Sequence, residues 1–345
     1  MPSPWQRWPA AQRTGEIATA RILNGAREPA RSHLRPHLAA IGRGRRGHNG
    51  RVRVSIVGFG LIGGSIARAL RARAGSEDWH VTAWSRTMAT VEQAVAEGVV
   101  DAARPALEDA IEGSELVVLA VPPLTCLELL DQIGGPLRAA LPEDATVTDV
   151  ASAKASVVAR ADAARLPFVG GHPMAGREQS GYVASLPELF VGRPWVTVAG
   201  RYARLEDGER VGELIRACGA VAIPMDAGAH DRAVAAISHM PLVVSTALVE
   251  TVVGRAGEPD RGDWEAVSTL AATGWASMTR LARGEPSMGA GIVATNAPAV
   301  AARLREVRAV LDEWIEALES GGGPDAQVIK ARFAAARARL DEGRS

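Results

Sequence analysis

A short apolar run from Arg51 to Val57 leads directly into Gly58-Phe59-Gly60-Leu61-Ile62-Gly63-Gly64-Ser65, and an Ala/Leu/Arg-rich stretch follows to about Arg73. A strand that enters a glycine-rich turn and leaves it as a helix constrains the fold more than any other feature of this chain. The three spaced glycines have separate tasks. Gly58 permits a tight turn, Gly60 permits close approach of backbone to a pyrophosphate, and Gly63 lets the helix pack against the strand. The anion would rest on the helix N-terminus at Leu61 and Ile62, where free N–H groups and the helix dipole favour negative charge. Among 36 glycines in 345 residues the triplet alone would be generic, and it is the flanking strand and helix that point to dinucleotide binding.

The alternation continues downstream. Strands are predicted at His80 to Trp84, Leu116 to Val121, Ala145 to Asp149, Phe168 to Gly170, Trp195 to Val198 and Ala220 to Ile223, with helices such as Thr90 to Glu97 and Leu124 to Ala139 between most of them. This pattern predicts an α/β fold with a Rossmann-type, doubly wound and mostly parallel sheet. Past residue 225 only helical spacing remains, at Asp231 to Val253, Trp264 to Arg283, Ala297 to Leu318 and Gln327 to Leu340. The expected division is a dinucleotide-binding domain over 51–225 and an all-helical domain over 226–345, the latter serving the substrate and a homodimer contact.

Residues 1–50 stand apart. They hold nine Arg against Glu16 and Glu28, a balance of 9 − 2 = +7 hidden by the zero net charge of the whole chain, and they lack apolar periodicity. They are expected to be a disordered basic tail or an over-long start of the reading frame rather than a targeting peptide or a nucleic-acid arm. Two distant cysteines, Cys126 and Cys218, exclude a disulfide scaffold, and no ligand cluster suggests a metal. Gly, Pro, Arg or Asp interrupts each apolar run, so no membrane span is expected and the cytoplasm is the expected location.

In an open α/β sheet ligands bind outside the carboxyl ends of the strands, which singles out Gly58, Ser85, Pro122, Ala151 and His172. The end of the second strand reads Ser85-Arg86-Thr87, where an NAD site usually carries an acid; hydroxyls and a guanidinium there favour the 2′-phosphate of NADP, with NAD possible. Four His lie beyond the tail, at 80, 172, 230 and 239. His172, in a Gly/Pro-bracketed loop after a strand, is the expected acid/base. His239 is either a core histidine or a site residue. His230, beside Asp231 at a helix start, is expected to belong to a cap, while Ser152 either caps a helix or orients His172.

The ordered motifs GFGLIGGS at 58–65, LAVPP at 119–123 (including Val121 and Pro122), TDVASAK at 148–154, GGHPMAG with REQSG at 170–181, SHMP at 238–241 and MTRLA at 278–282 resemble the prephenate/arogenate dehydrogenase family. The resemblance runs from about residue 52 to 320, and GGHPMAG followed by Glu-x-Ser-Gly is its most specific part. It implies oxidative decarboxylation of a cyclohexadienyl substrate: prephenate to 4-hydroxyphenylpyruvate, or arogenate to tyrosine. By the same resemblance His172 would accept the ring hydroxyl's proton, Ser152 would orient that imidazole, Arg280 would hold a substrate carboxylate and His239 would bind substrate. The chain departs from the family pattern at Leu242, where a second His is common, and at Gly289, where a Trp is common. Both positions adjoin the substrate side chain in the family, which leaves prephenate against arogenate open. A β-hydroxyacid dehydrogenase needs a catalytic Lys in its helical domain, where this chain has only Lys330. A sensing module without turnover would have no use for His172, Ser152 and Arg280 together.

Overall fold

A computed structural model of the chain describes residues 50–73, 78–177, 179–255, 257, 264–320 and 323–342. The expectation for the basic tail lies outside these residues. The first part runs β1 (Val52–Val57), α1 (Leu61–Arg73), β2 (Trp79–Trp84), α2 (Met88–Ala96), β3 (Ala102–Ala103), α3 (Leu107–Ile111), β4 (Leu116–Leu119), α4 (Pro123–Gly134), β5 (Thr146–Asp149), α5 (Ala155–Ala163), β6 (Phe168–Pro173), β7 (Pro194–Ala199), α6 (Leu205–Ala217) and β8 (Val221–Pro224). All eight strands form one sheet in the order β3-β2-β1-β4-β5-β6-β7-β8, parallel except where β7 runs against β6. The order reverses between β1 and β4, where Val57 lies opposite Leu119 and a crevice opens at the strand carboxyl ends.

Period-2 alternation decides which side chains go where. Ile56 and Val118 enter the core under α1 and α6 with Ile66, Leu70, Leu214 and Ile215, whereas Val57, Val117 and Leu119 face the opposite core with Leu130, Ile133 and Phe168. Both faces are covered, which is why β4 is continuously apolar from Leu116 to Leu119. Burial of each such side chain contributes about 1.5–3 kcal/mol, so the two cores together anchor the sheet whose edge carries the site.

The second part is helical: α7 (Ala227–Val234), a π turn at Ala235–His239, α8 (Met240–Val252), α9 (Trp264–Ser268), α10 (Thr273–Thr279), a 3₁₀ turn at Leu281–Arg283, α11 (Pro286–Thr295), α12 (Ala297–Glu319) and α13 (Ala326–Glu342). The continuous helix predicted from Trp264 to Arg283 is corrected to three short pieces, since Ala272 is extended ahead of α10 and the last turn tightens. β3, α3 and α11 had no sequence signal strong enough to stand out; β3 is only two residues long. Pro241 does not interrupt the helix. It occupies the first turn of α8, and because it has no N–H to return to the preceding turn, the backbone widens into the π turn and continues.

One helical stretch bears on the membrane expectation. Ala227–Val252 is one 26-residue helical stretch with an 18-residue window of mean hydropathy 1.5, long and apolar enough to cross a bilayer by those two measures. Only 22% of that window is buried within the chain. His230, Asp231 and His239 interrupt its composition, and all three are buried, His230 and Asp231 through bonds to His172 and Lys154 of the first part.

Candidate active site

The glycine turn takes the shape its spacing requires. Gly58 has φ +96°, and a Cβ there would lie 2.5 Å from both the Ala120 carbonyl oxygen and Val121 Cγ1. A Cβ on Gly63 would collide with the Gly58 carbonyl and press on Ile56 at 3.1 Å and Ala120 at 3.2 Å. Gly60, by contrast, faces open space with nothing within 4 Å. A cradle walled on two sides and open at the middle glycine, above the first amides of the 13-residue α1, fits the pyrophosphate of a dinucleotide. Beside it, Gly58 N donates to Trp84 O at 2.8 Å, so Ser85, Arg86 and Thr87 flank the same edge. Thr87 precedes α2 without a side-chain capping bond, and Arg86 is exposed. Pro122, next to Val121, is the residue just ahead of α4, and α11 packs there: a Cβ on Gly291 would meet Pro123 Cδ at 3.2 Å. The helical part therefore roofs the crevice at the end of β4.

The second half of the site is built on β5 and β6. Asp149, fully buried at the end of β5, accepts from Ala151 N at 2.8 Å and Gly171 N at 3.0 Å, and pairs with the equally buried Lys154, whose ammonium also donates to Gly171 O at 2.8 Å. Gly171 leaves room for this arrangement, because a Cβ would stand 2.5 Å from Asp149 O and 2.8 Å from Trp195 Nε1. The next residue is His172. The structure places it inside β6, paired with Val196 of β7, and not in a loop after the strand as predicted. The strand continues through Gly-Gly-His-Pro because β7 pairs antiparallel along it, a contact that local sequence cannot reveal.

His172 Nδ1 lies 2.8 Å from His230 Nε2, with the rings edge-on, and His230 Nδ1 lies 2.8 Å from Asp231 Oδ1. His230 is buried and is not part of a cap; Asp226 caps α7 by accepting from Ala229 N at 2.8 Å. Asp231 reaches across the two parts of the chain. Its Oδ1 also accepts from Lys154 N at 2.7 Å and its Oδ2 accepts from Ala155 N at 2.9 Å, so a carboxylate from α7 caps α5. That displaces Ser152 from the capping role; Ser152 is half-buried one turn ahead of the helix, and among the described residues it forms no hydrogen bond to His172. Burial opposes the Asp231 charge, but bonds from His230 and from the Lys154 and Ala155 amides outweigh it and hold the carboxyl below its ordinary range.

His239 lies on the π turn. Asn296 Nδ2 donates to the Asp231 carbonyl at 2.8 Å, which fixes the amide's orientation, and its other proton goes to His239 Nδ1 at 3.0 Å. His239 is therefore an Nε2–H donor. That nitrogen is buried and without a partner among the described residues. Burial pushes His239 down to about 4, partly opposed by Asp231. Burial also holds His172 well below the ordinary imidazole range, and the Lys154 charge, His230 and His239 add to it. His172 and His239 are thus neutral imidazoles.

Arg280 sits where α10 passes into the 3₁₀ turn, with its side chain exposed. α8 holds that segment through Ser245, whose hydroxyl donates to Met278 O at 2.9 Å and accepts from Ala282 N at 3.2 Å. The two positions that depart from the family pattern adjoin each other: a Cβ on Gly289 would lie 3.7 Å from Leu242 Cδ2. Sequence reasoning missed His230, Asp231, Lys154 and Asn296 as members of the site. The adjacent His-Asp pair was visible, but nine residues of ordinary helix make about two and a half turns and would put His230 and His239 on opposite faces. The π turn changes that phase, and π turns are frequent at functional sites.

Comparison with known proteins agrees with this architecture. Residues 66–224 match the prephenate dehydrogenase nucleotide-binding domain and residues 226–329 match the prephenate dehydrogenase dimerization domain. A prephenate dehydrogenase of Lactococcus lactis subsp. cremoris is 30% identical over 266 residues, covering 76% of this chain and 70% of the relative. Among solved structures, the arogenate dehydrogenase of Synechocystis superposes with a TM-score of 0.67 at 29% identity, over 84% of this chain and 100% of that one. The prephenate dehydrogenase of A. aeolicus, in complex with hydroxyphenyl propionate and NAD+, superposes with a TM-score of 0.71 at 26% identity, over 84% and 98%. With both of its domains matched in order and its sheet, glycine turn and histidine strand in place, this chain belongs to the prephenate dehydrogenase family.

Proposed function

We propose that this protein is a prephenate dehydrogenase that converts prephenate to 4-hydroxyphenylpyruvate and carbon dioxide, with NADP as the preferred cofactor. The observation that carries this reading is His172: a half-buried imidazole that its surroundings keep neutral, near the carboxyl end of β6. The dinucleotide, held by Gly58, Gly60, Leu61, Ile62, Gly63, Val121 and Pro122, supplies the hydride acceptor. His172 takes the proton of the ring hydroxyl as the carbon bearing it becomes carbonyl-like. Loss of the ring carboxylate then returns an electron pair to that oxygen as the ring becomes aromatic, and His172 gives the proton back. No net proton is consumed, and aromatisation supplies the driving force, so the protein's task is positioning and exclusion of water.

His239, with an unpartnered Nε2–H, is suited to donate to a substrate oxygen, and Arg280 to pair with a substrate carboxylate. Leu242 and Gly289 support prephenate over arogenate, because an apolar wall offers no acceptor to an ammonium group. Ser85, Arg86 and Thr87 support NADP, since they offer donors and no acid at the ribose position. The exposed Leu311, Ile315, Leu318 and Phe333 of α12 and α13, with the match to a dimerization domain, support a homodimer.

The test is reduction of nicotinamide followed at 340 nm with prephenate and arogenate, each with NAD and NADP, for the wild type and His172→Asn. The expected result is fastest turnover with prephenate and NADP, and a loss of about 10²-fold or more in the variant. Absence of turnover in every combination, with cofactor still bound, overturns the reading.

A further inference from the structure

His172 needs one ring nitrogen unprotonated toward substrate, and nothing in β6 itself determines which one. Its Nδ1 has a single described partner, His230, and His230 is buried with its other nitrogen on Asp231. Asp231 is committed as an acceptor: its two oxygens already take the amides of Lys154 and Ala155. His230 Nδ1 must therefore donate to it, which leaves Nε2 of a neutral His230 as a lone pair. His172 Nδ1 then has to donate to His230, and the lone pair of His172 is on Nε2. With both rings neutral this is the one consistent placement of protons along the chain from Asp231 to the site.

We infer that His230 is a positioning residue, which with Asp231 fixes His172 as the Nδ1–H tautomer and so presents Nε2 as the base. The inference rests on the reading of His172 as proton acceptor and adds to it the group that aims it. The assignment differs from the one implied by family resemblance, in which Ser152 orients the imidazole. When the substrate O–H bond breaks and an N–H bond forms at His172 Nε2, the electron pair stays on the substrate oxygen. The resulting imidazolium is backed by the His230 lone pair and, one ring further, by the Asp231 carboxylate. The arrangement follows the logic of an acid–base–orienter triad, with a His-Asp pair as orienter. The charged and titratable groups around His172 are Lys154 at the start of α5, Asp149 at the end of β5, His230 and Asp231 on α7, and His239 on the π turn.

The experiment uses the full chain carrying ¹⁵N-labelled imidazoles, with His172 assigned by the resonance lost in His172→Asn, alongside kinetics of His230→Leu and His230→Gln. Ring ¹⁵N spectra are expected to show His172 as the Nδ1–H tautomer in the wild type. His230→Leu removes the acceptor and is expected to lower kcat about 10²-fold with KM little changed, and to convert His172 toward the Nε2–H form. His230→Gln places an amide oxygen near the lost Nε2 and is expected to restore kcat to within about tenfold of wild type, because it again accepts from Nδ1–H. An Nε2–H tautomer of His172 in the wild type overturns the inference whether or not the enzyme turns over. A folded His230→Leu variant with wild-type kcat overturns it as well. Should the wild type turn over no cyclohexadienyl substrate, the proposed function fails while the tautomer measurement still decides the role of His230. If His230→Leu does not fold, the wild-type spectrum and the Gln variant decide it.

Discussion

The buried pair beneath His172 gives a quantitative test of how the site is held. Lys154 and Asp149 are both fully buried, and the pair is braced by the amides of Ala151 and Gly171 on the acid and by the Gly171 carbonyl on the ammonium. Lys154→Met keeps the apolar stem, strips the charge, and leaves a buried carboxylate with two amides and a carbonyl without its donor. Removing one partner of a buried pair costs about 3–5 kcal/mol, and the two surviving amides place this case near 3 kcal/mol. At ~2–4 °C per kcal/mol for a domain of this size, Tm falls by roughly 6–12 °C. The double variant Lys154→Met/Asp149→Asn removes the stranded charge and is expected to recover about half of the loss, so the costs of the two single variants are far from additive. Urea unfolding of wild type, both single variants and the double variant measures it. The same charge helps hold His172 down, so in Lys154→Met the acid limb of kcat/KM moves up, toward the ordinary imidazole value of 6.5. A loss below ~1 kcal/mol, strict additivity in the cycle, or an acid limb that moves down would refute the reasoning.

Two further predictions come from the site and the turn. His239 stands at about 4 in the folded chain against 6.5 unfolded, so above pH 6.5 both states are neutral and it has no effect; as pH falls below 6.5 the unfolded state binds the proton first, and stability drops by about 3 kcal/mol by pH 4. His172 acts in the same direction, and an unfolding midpoint that is unchanged or higher at pH 5 than at pH 7 contradicts this account. At the glycine turn, Gly60→Ala should leave stability within ~1 kcal/mol while weakening cofactor binding about tenfold or more, whereas Gly63→Ala should cost ~1–3 kcal/mol through its collision with the Gly58 carbonyl. Thermal unfolding and a cofactor titration on both variants separate these effects, and equal affinity of Gly60→Ala and wild type for the dinucleotide goes against the assignment of the open face.

The sequence by itself determined the sheet class and the dinucleotide turn, because both depend on local rules. Alternating apolar residues choose a strand, and three glycines at i, i+2 and i+5 are needed by the turn whatever surrounds it. It also singled out His172 and His239, since a histidine among Gly, Pro and apolar neighbours is conspicuous. Tertiary structure decided how those histidines are used. His172 lies in a strand because β7, more than twenty residues away in sequence, pairs with it. His230 joins the site because Asp231 reaches from α7 to cap α5, and His239 turns inward because Pro241 widens the helix by a π turn. Leu242 and Gly289, nearly fifty residues apart, become one wall only when α11 packs back toward α8. Local pattern reports which conformation each segment prefers. Which polar atoms face one another depends on helix phase and on contacts between distant segments, and these exist only once the chain has folded.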